Sequence, residues 1–191
     1  MRKIEGYADD SDAYIRRETV ILTGPAIPAS NPHENCAELV RNIVKNELKY
    51  NLSPNDISTV HRLGPKPTSQ APDKRSITVK FCRRDTKRVL MIASKNQTKP
   101  VSLYVNESLT PPRRTIFNTL RQIKRLHPEL VCGVSSFEGR VFAYTKSPNS
   151  SASATPTRDR RHLVSNYDML VDFCREFVHQ PISTFLNTWT Y

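Results

Sequence analysis

The chain has 191 residues, 37% of them hydrophobic, with 29 Lys and Arg against 18 Asp and Glu and a formal net charge of +11. That length allows one domain or two small ones, and a positive excess of this size points to polyanionic partners. No apolar run reaches the roughly 18 residues of a membrane-crossing helix, and Met1–Asp12 lacks the apolar segment of a secretory signal, so an intracellular protein, cytoplasmic or nuclear and with no membrane partner, is expected.

Residues 1–17 read as a flexible lead-in. Thr19–Thr23 is a short β-branched run stopped by Gly24-Pro25, which predicts a buried strand. A helix start follows, with Asn31 as the expected cap, Pro32 in the first turn and Glu34 three residues beyond the cap. Leu39, Ile43, Val44 and Leu48 keep helical spacing, and Asn51-Leu52-Ser53-Pro54 ends the run. Ile57–Leu63 predicts a weaker strand. Gly64–Lys74, with Pro65, Pro67 and Pro72, predicts a loop. Ile77, Val79 and Phe81 alternate with Ser76, Thr78 and Lys80, the pattern of a half-buried strand. Asp85 is expected to cap a second helix carrying Val89, Leu90, Ile92 and Ala93, and Leu103 with Val105 marks a fourth strand. The order β-α-β-β-α-β over 18–109 predicts a ferredoxin-like sandwich, the arrangement of the RNA-recognition motif and of many unrelated domains.

A small α/β domain is expected over 110–180. Thr110-Pro111-Pro112 predicts a helix start, Ile116, Leu120 and Ile123 with Phe117 an apolar stripe, and His127-Pro128 a stop. Val131–Ser136 and Arg140–Thr145 read as two strands joined at Phe137-Glu138-Gly139. The Ser/Pro/Thr-rich residues 146–157 read as a mobile insertion. Asn166 is expected to cap a last helix with Leu170, Phe173, Cys174 and Phe177 on one side. Residues 181–191 form a tail with Phe185, Trp189 and Tyr191.

The charge is not spread evenly. Between Arg75 and Arg125 lie thirteen basic residues and two acidic ones, Asp85 and Glu107, so this block alone carries an excess equal to that of the whole protein. A solvated basic face is the plain reading, and a polyanion-binding surface is the functional one. Cys36, Cys82, Cys132 and Cys174 show no ligand spacing, which fits buried or half-buried thiols in a reducing compartment rather than zinc. No glycine-rich phosphate loop, Gly-x-Ser-x-Gly or His-Glu-x-x-His occurs, and neither His61-Arg62 nor the pair Asp168 and Asp172 makes a catalytic or metal set. A non-enzyme without a cofactor is therefore expected.

Single-stranded nucleic acid, RNA ahead of DNA, is the favoured partner, bound through its phosphates. The strand Arg75–Phe81 exposes Ser76, Thr78 and Lys80 where base-stacking rings would be needed, and Tyr104 is the one candidate stacker on that sheet. Arginines at 83, 84, 88, 113, 114, 121 and 125 suit phosphate oxygens. A single strand is expected to lie in a cleft between the two halves of the chain.

The block Ile77-Thr-Val-Lys-Phe-Cys-Arg-Arg-Asp-Thr-Lys-Arg-Val-Leu, then Leu103-Tyr-Val-Asn-Glu-Ser-Leu-Thr-Pro-Pro-Arg-Arg, resembles the first-open-reading-frame protein of LINE-type non-LTR retrotransposons. His61-Arg62-Leu63-Gly64, Phe137-Glu-Gly-Arg-Val-Phe-Ala-Tyr and Met169-Leu-Val-Asp-Phe fit the same family, and the likeness covers most of 18–178. A distant likeness to the baculovirus few-polyhedra protein accompanies it. The resemblance implies an atypical RNA-recognition motif followed by a basic C-terminal domain, together binding single-stranded nucleic acid with little sequence preference and acting as a chaperone in a ribonucleoprotein particle. By motif match it implies contacts from Arg83, Arg84, Arg113 and Arg114, with Arg62 and Tyr104 beside them. Charge adds Lys80, Arg88, Arg121, Lys124 and Arg125 to the candidate set. The family's long trimerising coiled coil has no counterpart in residues 1–17, which reads as a truncated, viral or domesticated form or a fragment, with self-association left open. The competing expectation is a protein-interaction module that docks a partner through Thr78, Tyr104, Phe185 and Trp189.

Overall fold

The structure is a computed structural model that describes residues 2–31, 33–66, 73–98, 100–146 and 160–186. It is of the α+β class, with two antiparallel sheets. The chain divides into two compact units, Ile15–Ser108 and Leu109–Tyr191 together with Met1–Tyr14.

In the first unit, β1 (Thr19–Thr23), β2 (Ile57–Arg62), β3 (Ile77–Phe81) and β4 (Tyr104–Glu107) form a sheet in the order β2-β3-β1-β4. Helix α2 (Cys36–Leu48) follows β1 and α3 (Arg84–Lys95) follows β3. The period-2 alternation decides which sheet face is buried. Val20, Leu22, Ile77, Val79, Phe81 and Val105 point to one side and close a core with Val40, Ile43, Val44 and Leu90 of the helices. Register places Thr59, His61, Thr78, Lys80, Ile21, Tyr104 and Asn106 on the other side. Gly24 follows β1 at φ 126°, where an added Cβ would stand 2.4 Å from the Ser102 carbonyl oxygen. That close approach and the positive φ both require glycine.

Two helix starts differ from the sequence reading. Asn35 caps α2, accepting hydrogen bonds from the backbone N–H of Ala37 and Glu38 at 3.1 and 3.2 Å. Asn31 instead accepts from His33 N–H, because Glu34 is drawn to Arg62 before the helix begins. Pro32 lies outside the described residues. Helix α3 begins at Arg84 behind Arg83, which makes no side-chain cap, and Asp85 sits in its first turn. Its inward residues are Thr86, Lys87 and Leu90, whereas Val89 and Ile92 are exposed. The buried Lys87–Glu107 ion pair, at 2.7 Å, turns that face to the sheet.

In the second unit, α4 (Pro111–Leu126) packs on β5 (Val131–Phe137) and β6 (Arg140–Thr145), which pair with β7 (Arg160–Leu163) in the order β5-β6-β7. Glu138 and Gly139, at φ 50° and 77°, make the turn between β5 and β6. Two positive φ values match the twist of a two-residue hairpin. Strand β7 was not expected, since Arg160-Arg161-His162-Leu163 offers a single aliphatic residue. Asn166 caps α5 (Tyr167–Phe173), accepting from Met169 N–H at 2.8 Å, and a π-helical turn continues to Val178. The insertion expected over 146–157 lies, beyond residue 146, outside the described residues.

Both ends of the chain depart from expectation. Residues 2–15, read as a flexible lead-in, form helix α1 (Arg2–Ile15). The short helix α6 (Ser183–Leu186) places Phe185 at 0% exposure in the second core, with its ring edge-on to His127 at 6.1 Å. Phe185 is thus a core side chain, which removes it as a docking anchor. Trp189 and Tyr191 lie outside the described residues.

Candidate nucleic-acid interface

Helix α4 owes its start to Thr110-Pro111-Pro112. The prolines supply helical φ where the backbone N–H groups would have no partner. Thr110 makes no side-chain cap, and its hydroxyl donates to Asp9 instead. Ile116, Thr119, Leu120 and Ile123 face the core. At 3.6 residues per turn, Arg114, Arg121 and Arg125 fall within about 40° of one another on the opposite side, spread along about 16 Å of axis. Asn118 lies on the same line, and Lys124 flanks it beside Phe117.

No acidic residue occurs between Glu107 and Glu129. Arg114, Arg121, Lys124 and Arg125 are all exposed, and none forms an ion pair among the described residues. Arg121, Lys124 and Arg125 line a shallow depression of about 590 Å³ with Asn118 and Gln122. The Arg121 guanidinium lies 5.9 Å from the centre of the Phe117 ring. Such a surface, cationic, flexible and rich in guanidinium forks, suits a row of phosphates.

The remaining predicted residues divide sharply. Arg62 is buried at 8% exposure. Its guanidinium donates to both Glu34 carboxylate oxygens at 3.0 and 2.6 Å, and to the carbonyls of Arg75 and Pro28. That hydrogen bonding holds the Glu34 carboxyl below its usual range and raises Arg62. Arg62 therefore ties the end of β2 to the segment before α2, and it offers no free donor fork to a phosphate. Arg113 is likewise buried, at 6% exposure. It donates from Nε to Asp9 at 2.6 Å, from Nη1 to the Gly139 carbonyl at 3.1 Å, and from Nη2 to Asp10.

Arg83 and Arg84 remain at the surface, paired with Asp56 at 3.1 Å and Glu18 at 3.2 Å. The Arg84–Glu18 pair, open to solvent, contributes little, whereas Asp56 is buried, accepts from Ser53 N–H at 3.0 Å as well, and leaves only the arginine end of its pair in solvent. Arg88 is exposed on α3. Lys80 and Tyr104 lie on the open face of the first sheet, with Tyr104 48% exposed and Lys80 half-buried. The row across that face runs His61, Thr78, Ile21, Asn106. Thr78, expected to be exposed, is buried with its hydroxyl donating to the Val20 carbonyl at 3.4 Å, and the exposed rings are Tyr104 and the His61 imidazole.

The cationic block is therefore smaller in space than in sequence. Asp9, Asp10, Glu18, Asp56 and Asp73 all come from the charge-balanced flanks and neutralise Arg113, Arg84, Arg83 and Arg75. The Arg75 hydrogen bonds bring the Asp73 carboxyl down to about 2. Within the block, Glu107 neutralises Lys87, whose ammonium also donates to the Arg17 carbonyl. What survives with the highest density is the outer side of α4.

Sequence reasoning passed over four residues. Asp9 and Asp10 lie in the stretch that reads as a lead-in. Arg160 and Arg161 are exposed on β7, with the Arg161 guanidinium 4.6 Å from the Phe142 ring centre, a cation–π contact. The signal for the second pair is Arg158-Asp159-Arg160-Arg161, which lies outside the basic block Arg75–Arg125.

The cysteines are all free. Cys174 is buried, which pushes its thiol up to about 11, and burial also raises Cys36. Cys82, expected to be shielded, is exposed beside Arg83. Among the described residues no three His, Cys, Asp or Glu side chains are placed to share a metal ion, and no helix is long and apolar enough to cross a membrane. Comparison with protein-family models and with curated proteins finds no match.

Proposed function

We propose that this protein binds single-stranded nucleic acid, RNA or DNA, through its phosphates and with little sequence preference, and that it packages or chaperones the bound strand inside the cell. The observation that carries this reading is the outer side of α4, where Arg114, Arg121, Lys124 and Arg125 stand exposed with no acidic partner among the described residues. Binding of this kind is driven by release of condensed counterions, so it follows phosphate number and not base identity. The exposed rings of the first sheet, His61 and Tyr104, stand on its edge strands and leave the central strands β3 and β1 without one, which argues in the same direction, because base readout on single strands relies on stacking.

The strand order β2-β3-β1-β4, with α2 and α3 packed on one face of the sheet, is consistent with a split βαβ arrangement. It supports a ferredoxin-like reading of the first unit, and with the motif likeness it supports an atypical RNA-recognition motif of the retrotransposon type. The protein acts by binding, not by catalysis. Its role in a ribonucleoprotein follows from an indiscriminate cationic surface that can hold and release many sites along one strand. The test is fluorescence anisotropy with unrelated labelled oligonucleotides across a salt series. Equal affinities that fall steeply with salt support the reading. Absence of binding at low salt, or binding indifferent to salt, rejects it.

A further inference from the structure

Helix α1 is attached to its unit in an unusual way. None of its described side chains belongs to the hydrophobic core of that unit. Ala13 is its buried hydrophobic side chain among those described, while Tyr7, Tyr14 and Ile15 are 75%, 60% and 62% exposed. What holds it is polar. Asp9 takes the Arg113 Nε at 2.6 Å and the Thr110 hydroxyl, and Asp10 takes Arg113 Nη2. Arg113 thus presents a side-on fork and an end-on nitrogen to two carboxylates, and a phosphate accepts from guanidinium in the same two ways. A helix of 14 residues is marginal by itself in water, and the described apolar burial of this one is limited to Ala13. Its docking is therefore governed by charge, and a polyanion can compete with it.

We propose that α1 is an intramolecular competitor for polyanions. Its Asp9 and Asp10 carboxylates occupy Arg113 in place of a phosphodiester, and a bound strand displaces them and adds Arg113 to the neighbouring α4 surface. The inference rests on the reading of α4 given above and concerns the regulation of that surface. Arg114 stands next in the chain and is already exposed, so a strand lying along α4 has its next phosphate position at the start of the helix. The cavity there, about 640 Å³, is lined by Arg113 and Arg140 together with Asp9, Asp10 and Asp168. With α1 docked its carboxylates outnumber its guanidiniums. With α1 released the two arginines face a single aspartate.

The test compares oligonucleotide binding by the full chain with binding by an Asp9→Asn/Asp10→Asn variant. The control is Glu129→Gln/Asp172→Asn, which removes the same charge from exposed pairs of the same unit that do not touch Arg113. One added phosphate contact makes the slope of log K against log salt steeper by about 0.7, which is about eightfold tighter binding at 50 mM salt. Adding Arg113→Gln to the double variant is expected to cancel that gain. A second measurement needs no substitution. Amide hydrogen exchange along α1 of the unaltered chain is expected to rise when the protein is saturated with the oligonucleotide at low salt. Equal binding by the release variant and its control, with no rise in α1 exchange on saturation, overturns the inference while leaving the α4 reading in place. No binding by the unaltered protein at 50 mM salt overturns both.

Discussion

Replacing Arg114, Arg121, Lys124 and Arg125 together by glutamine removes four exposed cations and leaves the core side of α4 intact. For a single strand each neutralised phosphate contributes about −0.7 to the slope of log K against log salt, so four contacts predict a contribution of about −2.8. Between 50 and 200 mM salt that term alone weakens binding about 50-fold. The quadruple variant is expected to lose it, so that its slope is flatter by about 2.8 and its affinity depends far less on salt. The loss is expected to be the same for unrelated oligonucleotides. Intrinsic helix propensity changes little, since glutamine nearly matches lysine and arginine. Lys124 and Arg125 complement the negative end of the helix, and losing that contribution costs about 1–2 kcal/mol in total. Anisotropy titrations at four or five salt concentrations, with thermal melts as a control, make the measurement. An unchanged slope in a folded quadruple variant refutes the assignment of α4.

The buried arginine of the first unit has the opposite signature: Arg62→Ala leaves Glu34 unpaired in a nearly dry site and is expected to cost about 3–5 kcal/mol by denaturant melts while the salt slope stays the same. His162 is held below its usual value, chiefly by burial and secondarily by Arg160, with Glu176 opposing. Its unfolded form therefore binds more protons below about pH 6.5, and the stability of the second unit is expected to fall as pH drops through that value. A His162→Phe variant that keeps the same pH dependence contradicts this. Phe185→Ala is expected to destabilise the second unit by about 3–5 kcal/mol; a tail that served only to dock a partner would leave the melting curve unmoved.

Much of the architecture was legible. The alternation at Ile77–Phe81 and the 3.6-residue spacing along α4 are driven by burial, and burial is written in the order of apolar residues. The capping positions were less so. Asn31 and Asn35 both satisfy the local chemistry, and the choice between them is made by Arg62, twenty-seven residues beyond Asn35, which claims Glu34. The same physics limited the reading of the site. Arg62 and Arg113 look like surface cations in sequence, because the carboxylates that neutralise them lie 28 and about 100 residues away. Helix α1 was missed although Ile4, Tyr7, Ala8 and Ile15 recur at helical spacing, because its acids and the absence of sustained heptads read as a polar lead-in, and the aspartates that dock it pair with an arginine about 100 residues away. The cations of α4 were legible because a stretch of helix without any acid cannot be neutralised from within.

The central claim concerns which guanidiniums meet phosphate, and the Nε–Hε signals of arginine report on that one residue at a time. Titrating the isotopically labelled protein with an unlabelled single strand at low salt is predicted to shift Arg114, Arg121 and Arg125 together while Arg62 stays fixed. Saturation of the protein with those three signals unmoved, or with Arg62 moving first, contradicts the account.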